Sequence, residues 1–126
     1  MTLNAFFEIF DKTTVDADVV SLIEKEYGAV DDEDVRRLLC MRTDDCFIDC
    51  DDVVRLMTKD EIVFASSDLG VDFKGLLCIP FFDIGDNDFI VYRIDCKMWS
   101  RMNIVDMSFF CENVSLKKML QELVGV

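Results

Sequence analysis

Histidine is missing from this chain altogether, and proline and tryptophan occur once each among its 126 residues. Without an imidazole there is no Ser–His or Cys–His pair to activate a nucleophile. Acid–base work would fall to carboxylates, lysine, tyrosine or cysteine, and none of these is paired as such chemistry requires. The phosphate-cradling patterns GxxxxGK and GxGxxG are absent as well, and Ser66 and Ser67 read as part of the exposed face of a capped helix. No apolar run approaches the roughly 18 residues of a membrane span. The opening MTLNAFFEIFDK has neither a basic n-region nor a long apolar h-region, so no secretory signal is expected. The single proline, Pro80, lies inside an apolar run, and there is no linker, internal repeat or low-complexity segment. One domain over residues 1–126 is expected.

Positive charge is also scarce. The chain has 13 Lys and Arg against 26 Asp and Glu, a formal net charge of −13. A nucleic-acid binder carries a basic stripe, and a bare anionic membrane repels such a protein, so neither partner is expected; basic proteins are what its field attracts. The acidity is concentrated early: residues 1–63 hold 17 acids and seven bases, and Asp31 to Asp52 holds nine acids against Arg36, Arg37 and Arg42. For Asp44, Asp45, Asp49, Asp51 and Asp52 three readings are open: a solvated acidic face, a surface for a basic partner, and a two-metal carboxylate site.

What the chain does have is apolar residues, 52% of the total, enough to bury roughly two-thirds of its unfolded surface without disulfide staples. Its six cysteines, Cys40, Cys46, Cys50, Cys78, Cys96 and Cys111, show no two-residue separation of the zinc-knuckle kind. They read as free thiols behaving as small apolar side chains, with Cys78, Cys96 and Cys111 in or beside β-like segments. No metal or other cofactor is expected. Free thiols together with the missing signal and span point to a reducing cytoplasm.

The apolar spacing gives the elements. DADVVSLIEKEYG predicts a helix capped by Asp16 and ended by Gly28, with Val19, Leu22, Ile23 and Tyr27 facing the core. VDDEDVRRLLCM predicts a shorter one whose acidic first turn complements the helix dipole and whose Val35, Leu38 and Leu39 face inward. TKDE is a capping box, with Thr58 as N-cap and Glu61 at the third helical position. FIDCDDVVRLMT reads as a strand or hairpin arm. From residue 73 to 107 the period changes: LLCIPFF, DFIVYRID and MWSRMNIVDM are β-rich runs of an antiparallel meander, with DFIVYRID a central strand. Trp99 reads as packing within it. VSLKKMLQELV closes the chain as a helix capped by Ser115, with Val114 and Met119 placed to form a staple. The class is α+β, helices packed on a mixed or antiparallel sheet.

FFDIGDNDFIVY surrounds Gly85 with Asp83, Asp86, Asn87 and Asp88, which invites comparison with a calcium loop. Counted from Asp83, however, the third residue is Gly85 and the sixth is Asp88, where that loop needs an acid and a glycine. Between two strands the stretch is a hairpin turn: Gly85 takes a positive φ, and Asp86 or Asn87 bonds its own backbone.

The order EIVFASSDLG, LLCIPFF, GDNDFIVYRID, a strand with Trp99 and Asp106, then SLKKMLQEL resembles the SUKH superfamily, the Smi/Knr-type domain, most closely over residues 61–123. Pro80, Gly85, Asp86, Asp88 and Phe89 stand where that family has its strand-ending proline and Gly-Asp turn. In place of the family's upstream Leu-Pro and aromatic residue this chain has Ala29-Val30 and Val35, and no Asn-Gly-Gly turn follows Met41. The resemblance implies an α+β domain and a non-catalytic role: many bacterial members are immunity proteins that neutralise toxins, often nucleases, while fungal relatives are regulatory. Asp44, Asp45, Asp49, Asp51 and Asp52, in the segment without family landmarks, are the expected contact strip. The competing classes are a regulatory or scaffold module and a carboxylate-dependent metal enzyme. Titration of unfolded, unreduced protein is expected to find all six thiols, and elemental analysis is expected to find no bound zinc.

Overall fold

In the computed structural model, which describes residues 1–41, 46–48 and 54–125, five helices accompany one six-stranded sheet. The helices are α1 (Leu3–Lys12), α2 (Ala17–Tyr27), α3 (Glu33–Leu39), α4 (Lys59–Leu69) and α5 (Leu116–Val124). The strands are β1 (Cys46–Ile48), β2 (Val54–Leu56), β3 (Cys78–Gly85), β4 (Asp88–Arg93), β5 (Met98–Asn103) and β6 (Ser108–Asn113). Each strand pairs antiparallel with its sequence neighbours, so the strands lie in chain order from β1 to β6, with α4 inserted between β2 and β3. This is a single α+β domain, and no helix among the described residues is long and apolar enough to cross a membrane.

Caps written in the sequence start the helices. Thr2, Asp16, Asp32, Thr58 and Ser115 each accept a first-turn backbone N–H. At Thr58 the box is complete: Glu61 N–H donates to Thr58 Oγ1 at 3.2 Å, and Thr58 N–H donates back to Glu61 Oε1 at 2.9 Å. Gly70 ends α4 in the left-handed region at φ 67°.

Four sequence expectations are corrected. The buried stripe of α2 is Val20, Ile23 and Tyr27, with Leu22 43% exposed. That stripe follows strict 3–4 spacing, and Tyr27 fixes its direction by donating its hydroxyl to the Ile62 carbonyl of α4 at 2.6 Å. Val114 is 73% exposed and makes no staple over the buried Met119. Cys96 and Cys111 are exposed, in a turn and on an edge strand, whereas Cys40 and Cys78 are buried. Finally, the consecutive antiparallel strands expected over 73–107 are present as β3, β4 and β5, but their extent differs: residues 73–77 are turn, and MWSRMNIVDM breaks after Asn103, so that SFFCEN supplies a strand of its own. The N-terminal α1, unassigned from sequence, buries Phe6 and Phe10.

The β3–β4 hairpin is the middle of the core. Cys78 to Phe82 of β3 and Asp88 to Tyr92 of β4 are all buried, which means both faces are covered. Adjacent residues point to opposite faces. Phe82 meets Phe6 of α1 at 6.0 Å between ring centroids, while its neighbour Asp83 lies 3.6 Å from Arg55, which Glu61 of α4 also engages. Trp99 of β5, 1% exposed, packs against Phe81 and Tyr92 at 5.4 and 5.2 Å. Pro80 is tolerated here because it stands past the last β2–β3 pair, Leu56↔Phe82, and beside a bulge. The connection Asp86-Asn87 is a two-residue turn with both φ angles positive, 54° and 64°, the form that matches strand twist. The side chain that bonds this backbone is Asp83, whose Oδ1 accepts the Gly85 N–H at 3.0 Å.

Asp88 itself is more than a turn residue. Only 7% exposed, it accepts Nε and Nη2 of Arg101 at 2.9 and 2.7 Å and Nδ2 of Asn103 at 2.7 Å. Arg101 in turn lies over the Phe110 ring at 5.4 Å, so one charge chain crosses β4, β5 and β6. Replacing Asp88 by Asn removes the charge-assisted bonds. It is expected to lower stability by about 1–3 kcal/mol, read as a fall in the urea midpoint at unchanged m-value.

Candidate partner-binding site

Asp44, Asp45, Asp49, Asp51 and Asp52 lie outside the described residues; in the chain they flank β1, the terminal strand of the sheet. Gly85 ends β3 and Asp88 begins β4, consistent with their structural reading. Among the described residues, no group of three Cys, Asp or Glu is placed to hold a metal ion.

Two clusters of polar side chains remain. The first is Arg55 with Glu61 and Asp83. Arg55 donates both terminal nitrogens to Glu61, at 2.6 and 2.7 Å, in a bidentate pair, and the same carboxylate caps α4. The Arg55 guanidinium and the Thr58 N–H hold the Glu61 carboxyl down at about 2. The principal groups are engaged within the fold, and the adjoining hollow between α4, Asp83 and Phe89 is small, about 80 Å³. It is a structural clasp between β2 and α4.

The second cluster surrounds the α2–α3 junction. Gly28 leaves α2 at φ 101°, a turn that glycine alone makes without strain. The chain is then pinned by the Val30 N–H donating to Glu24 Oε2 at 3.0 Å and by Asp32 capping α3 through the Val35 N–H at 3.0 Å. Across from this loop comes the end of the β4 strand and its turn to β5. Between them lies a cleft of about 290 Å³ lined by Ala29, Val30, Asp31, Asp32, Tyr92, Ile94 and Lys97. Val30 and Ile94 give it an apolar wall, Asp31 and Lys97 are exposed, and Tyr92 is 2% exposed. Tyr92 makes no hydrogen bond among the described residues; its ring is held against Trp99. Burial first, then the charges of Asp32, Cys96 and Asp31, push the phenol up to about 12, so it stays protonated and neutral.

Next to the cleft the acids crowd. The Asp34 carboxyl is raised by burial and then by Asp32, Glu33 and Asp11, against which Arg37 acts in the other direction. Asp11 comes from α1, so the end of α1 and the start of α3 lie near enough for their charges to act on one another, with Arg37 the cation that bears on Asp34. Its guanidinium also stacks over Phe10 at 5.4 Å. The sequence displayed the run Asp31–Asp34 only as a helix-dipole feature; nothing in it announced that Asp11, Tyr92 and Lys97 would meet that run. The buried thiol of Cys78, pushed up to about 12 by desolvation, is unreactive and no nucleophile.

No protein-family model, curated protein or solved structure matches the chain. The likeness to the SUKH superfamily therefore rests on the residues that carry it.

The Arg55–Glu61 clasp has a measurable pH signature. Because the folded-state pKa of Glu61, about 2, is below its ordinary 4.5, the folded protein binds fewer protons in that interval. The stabilisation is complete above about pH 4.5 and is lost as pH falls through 2. Glu61→Gln is expected to unfold more easily than the parent near pH 6, with the gap in thermal midpoint closing as pH drops toward about 2.

Proposed function

We propose that this protein is a non-catalytic binding domain that captures a basic protein in the cytoplasm, acting as an immunity protein that neutralises a toxin, with a nuclease as the leading target. The observation that supports the reading is the run Asp31, Asp32, Glu33 and Asp34, near enough to the end of α1 that Asp11 bears on Asp34, in a chain of net charge −13. A nuclease presents a basic cleft shaped for phosphates, and a surface of fixed carboxylates competes for it with no chemistry. A field of this size accelerates encounter by roughly 10- to 1,000-fold, which suits an inhibitor that must reach its target before damage accumulates. The SUKH resemblance supplies the class, and the charge supplies the mechanism. The strip Asp44, Asp45, Asp49, Asp51 and Asp52 belongs to the same proposal as a second concentration of negative charge along the chain.

Co-expression with the product of the neighbouring gene tests this reading through rescue of growth and a co-purifying complex. A linked toxin that is neither bound nor neutralised would move the assignment to a regulatory module of the same fold; rescue requiring added magnesium would move it to an enzyme. With a partner in hand, replacing Asp44, Asp45 and Asp49 by Asn is expected to slow association and flatten its salt dependence, with dissociation changed less. Unchanged association at low salt would remove the strip from the mechanism.

A further inference from the structure

The cleft at the α2–α3 junction has a property that a solvated acidic face does not. The Tyr92 side chain, 2% exposed, lines the cavity and has no hydrogen-bond partner among the described residues. The ring is buried, but the hydroxyl oxygen is not among the buried unpartnered atoms, so it opens onto the cleft and is free to bond a group that enters it. Beside it stand two carboxylates, Asp31 and Asp32, of which Asp32 spends one oxygen, Oδ1, on the Val35 N–H. The wall opposite is apolar, from Val30 and Ile94. The volume, about 290 Å³, lies at the lower end of the ~300–1,000 Å³ of small-ligand clefts. That suits a single long side chain better than a folded segment.

We propose that this cleft receives the guanidinium of an arginine side chain presented by the basic partner, with Asp31, Asp32 and the Tyr92 hydroxyl oxygen as acceptors and Val30 and Ile94 against the methylene stem. The inference rests on the proposed function and names the anchor through which it would work. Arginine fits better than lysine. Its planar fork carries five donors in fixed directions, matching three acceptors at fixed positions, and it gives up its weaker hydration more readily in a half-apolar cleft. Lys97, on the rim, opposes a cation, yet Asp31 and Asp32, which line the same cleft, outnumber it. Lys97 is exposed, at the last position of the β4–β5 turn with φ 57°, so its ammonium is free to swing outward.

Trp99, the only tryptophan, lies 5.2 Å from the Tyr92 ring and serves as the reporter. The experiment titrates the full chain with N-acetyl-arginine amide, with the citrulline and lysine analogues as controls, following Trp99 fluorescence. The expected result is saturable binding of the arginine probe, weaker for lysine and none for citrulline. Affinity should fall about tenfold in Tyr92→Phe and in the Asp31→Asn, Asp32→Asn double variant, as befits bonds to a charged group, and rise in Lys97→Ala. Asn caps a helix as well as Asp does, so the double variant is expected to keep its thermal midpoint. Equal responses to arginine and citrulline, no saturable response, or an affinity unmoved in both acceptor variants would overturn the proposal. The outcome is separable from that of the immunity reading. Binding of the probe without a toxin partner sustains the cleft and not the function. A neutralised toxin whose affinity ignores Tyr92→Phe, Asp31→Asn and Asp32→Asn sustains the function and overturns the cleft.

Discussion

The register of β3 against β4 is the constraint on which the rest of this molecule depends. Both strands are buried on both faces, so a slip of one residue would exchange every side chain between two filled layers. Two devices prevent it. The Asp86-Asn87 turn, with both residues in left-handed backbone, permits only a tight two-residue connection, and the Asp88 carboxylate finds Arg101 and Asn103 only when β4 and β5 are also aligned. With that register set, Phe82 reaches Phe6 of α1, Asp83 reaches Arg55, and Tyr92 falls against Trp99.

The polar interactions divide into those that close on themselves and those that leave something open. Glu61 engages Arg55 and the Thr58 N–H together, and Asp88 engages Arg101 and Asn103 of the neighbouring β5; both carboxylates are committed to partners within the fold. At the α2–α3 junction the arrangement is different. Its backbone is fixed by Glu24 and by the Asp32 cap, but the carboxylates it displays and the Tyr92 hydroxyl face a cleft. A rigid loop presenting open acceptors is what a binding surface requires, since the ordering cost is met before the partner arrives.

The edges of the sheet carry a further consequence of the charge pattern. On β6, Arg93 lies over Phe109 at 4.5 Å and pairs with Glu112, while Arg101 covers Phe110. Cys111 sits at φ 55° beside a register shift, interrupting the strand that would otherwise offer a straight row of backbone donors and acceptors. Such interruptions protect an exposed edge from pairing with another chain.

What the sequence determined by itself is local: the caps at Asp16, Thr58 and Ser115, the stop at Gly28, the period change after Gly70 and the two-residue turn after Gly85 all follow from short-range hydrogen bonding and allowed φ angles, which a few adjacent residues settle. It also determined the sign of the molecule's overall field, because net charge is additive and needs no fold. Tertiary structure decided everything that depends on distance in space. It chose Val20 over Leu22 as the buried face of α2, since only the approach of α4 to Tyr27 sets the helix rotation. It exposed Cys96 and Cys111 by placing one in a turn and the other at the sheet edge, and it cut MWSRMNIVDM in two where the chain had to reverse. Above all it brought Tyr92 to Asp31 and Asp32: sixty residues of sequence separate them, and only the meander, by returning β4 to the α2–α3 junction, puts a phenol hydroxyl in one cleft with two carboxylates.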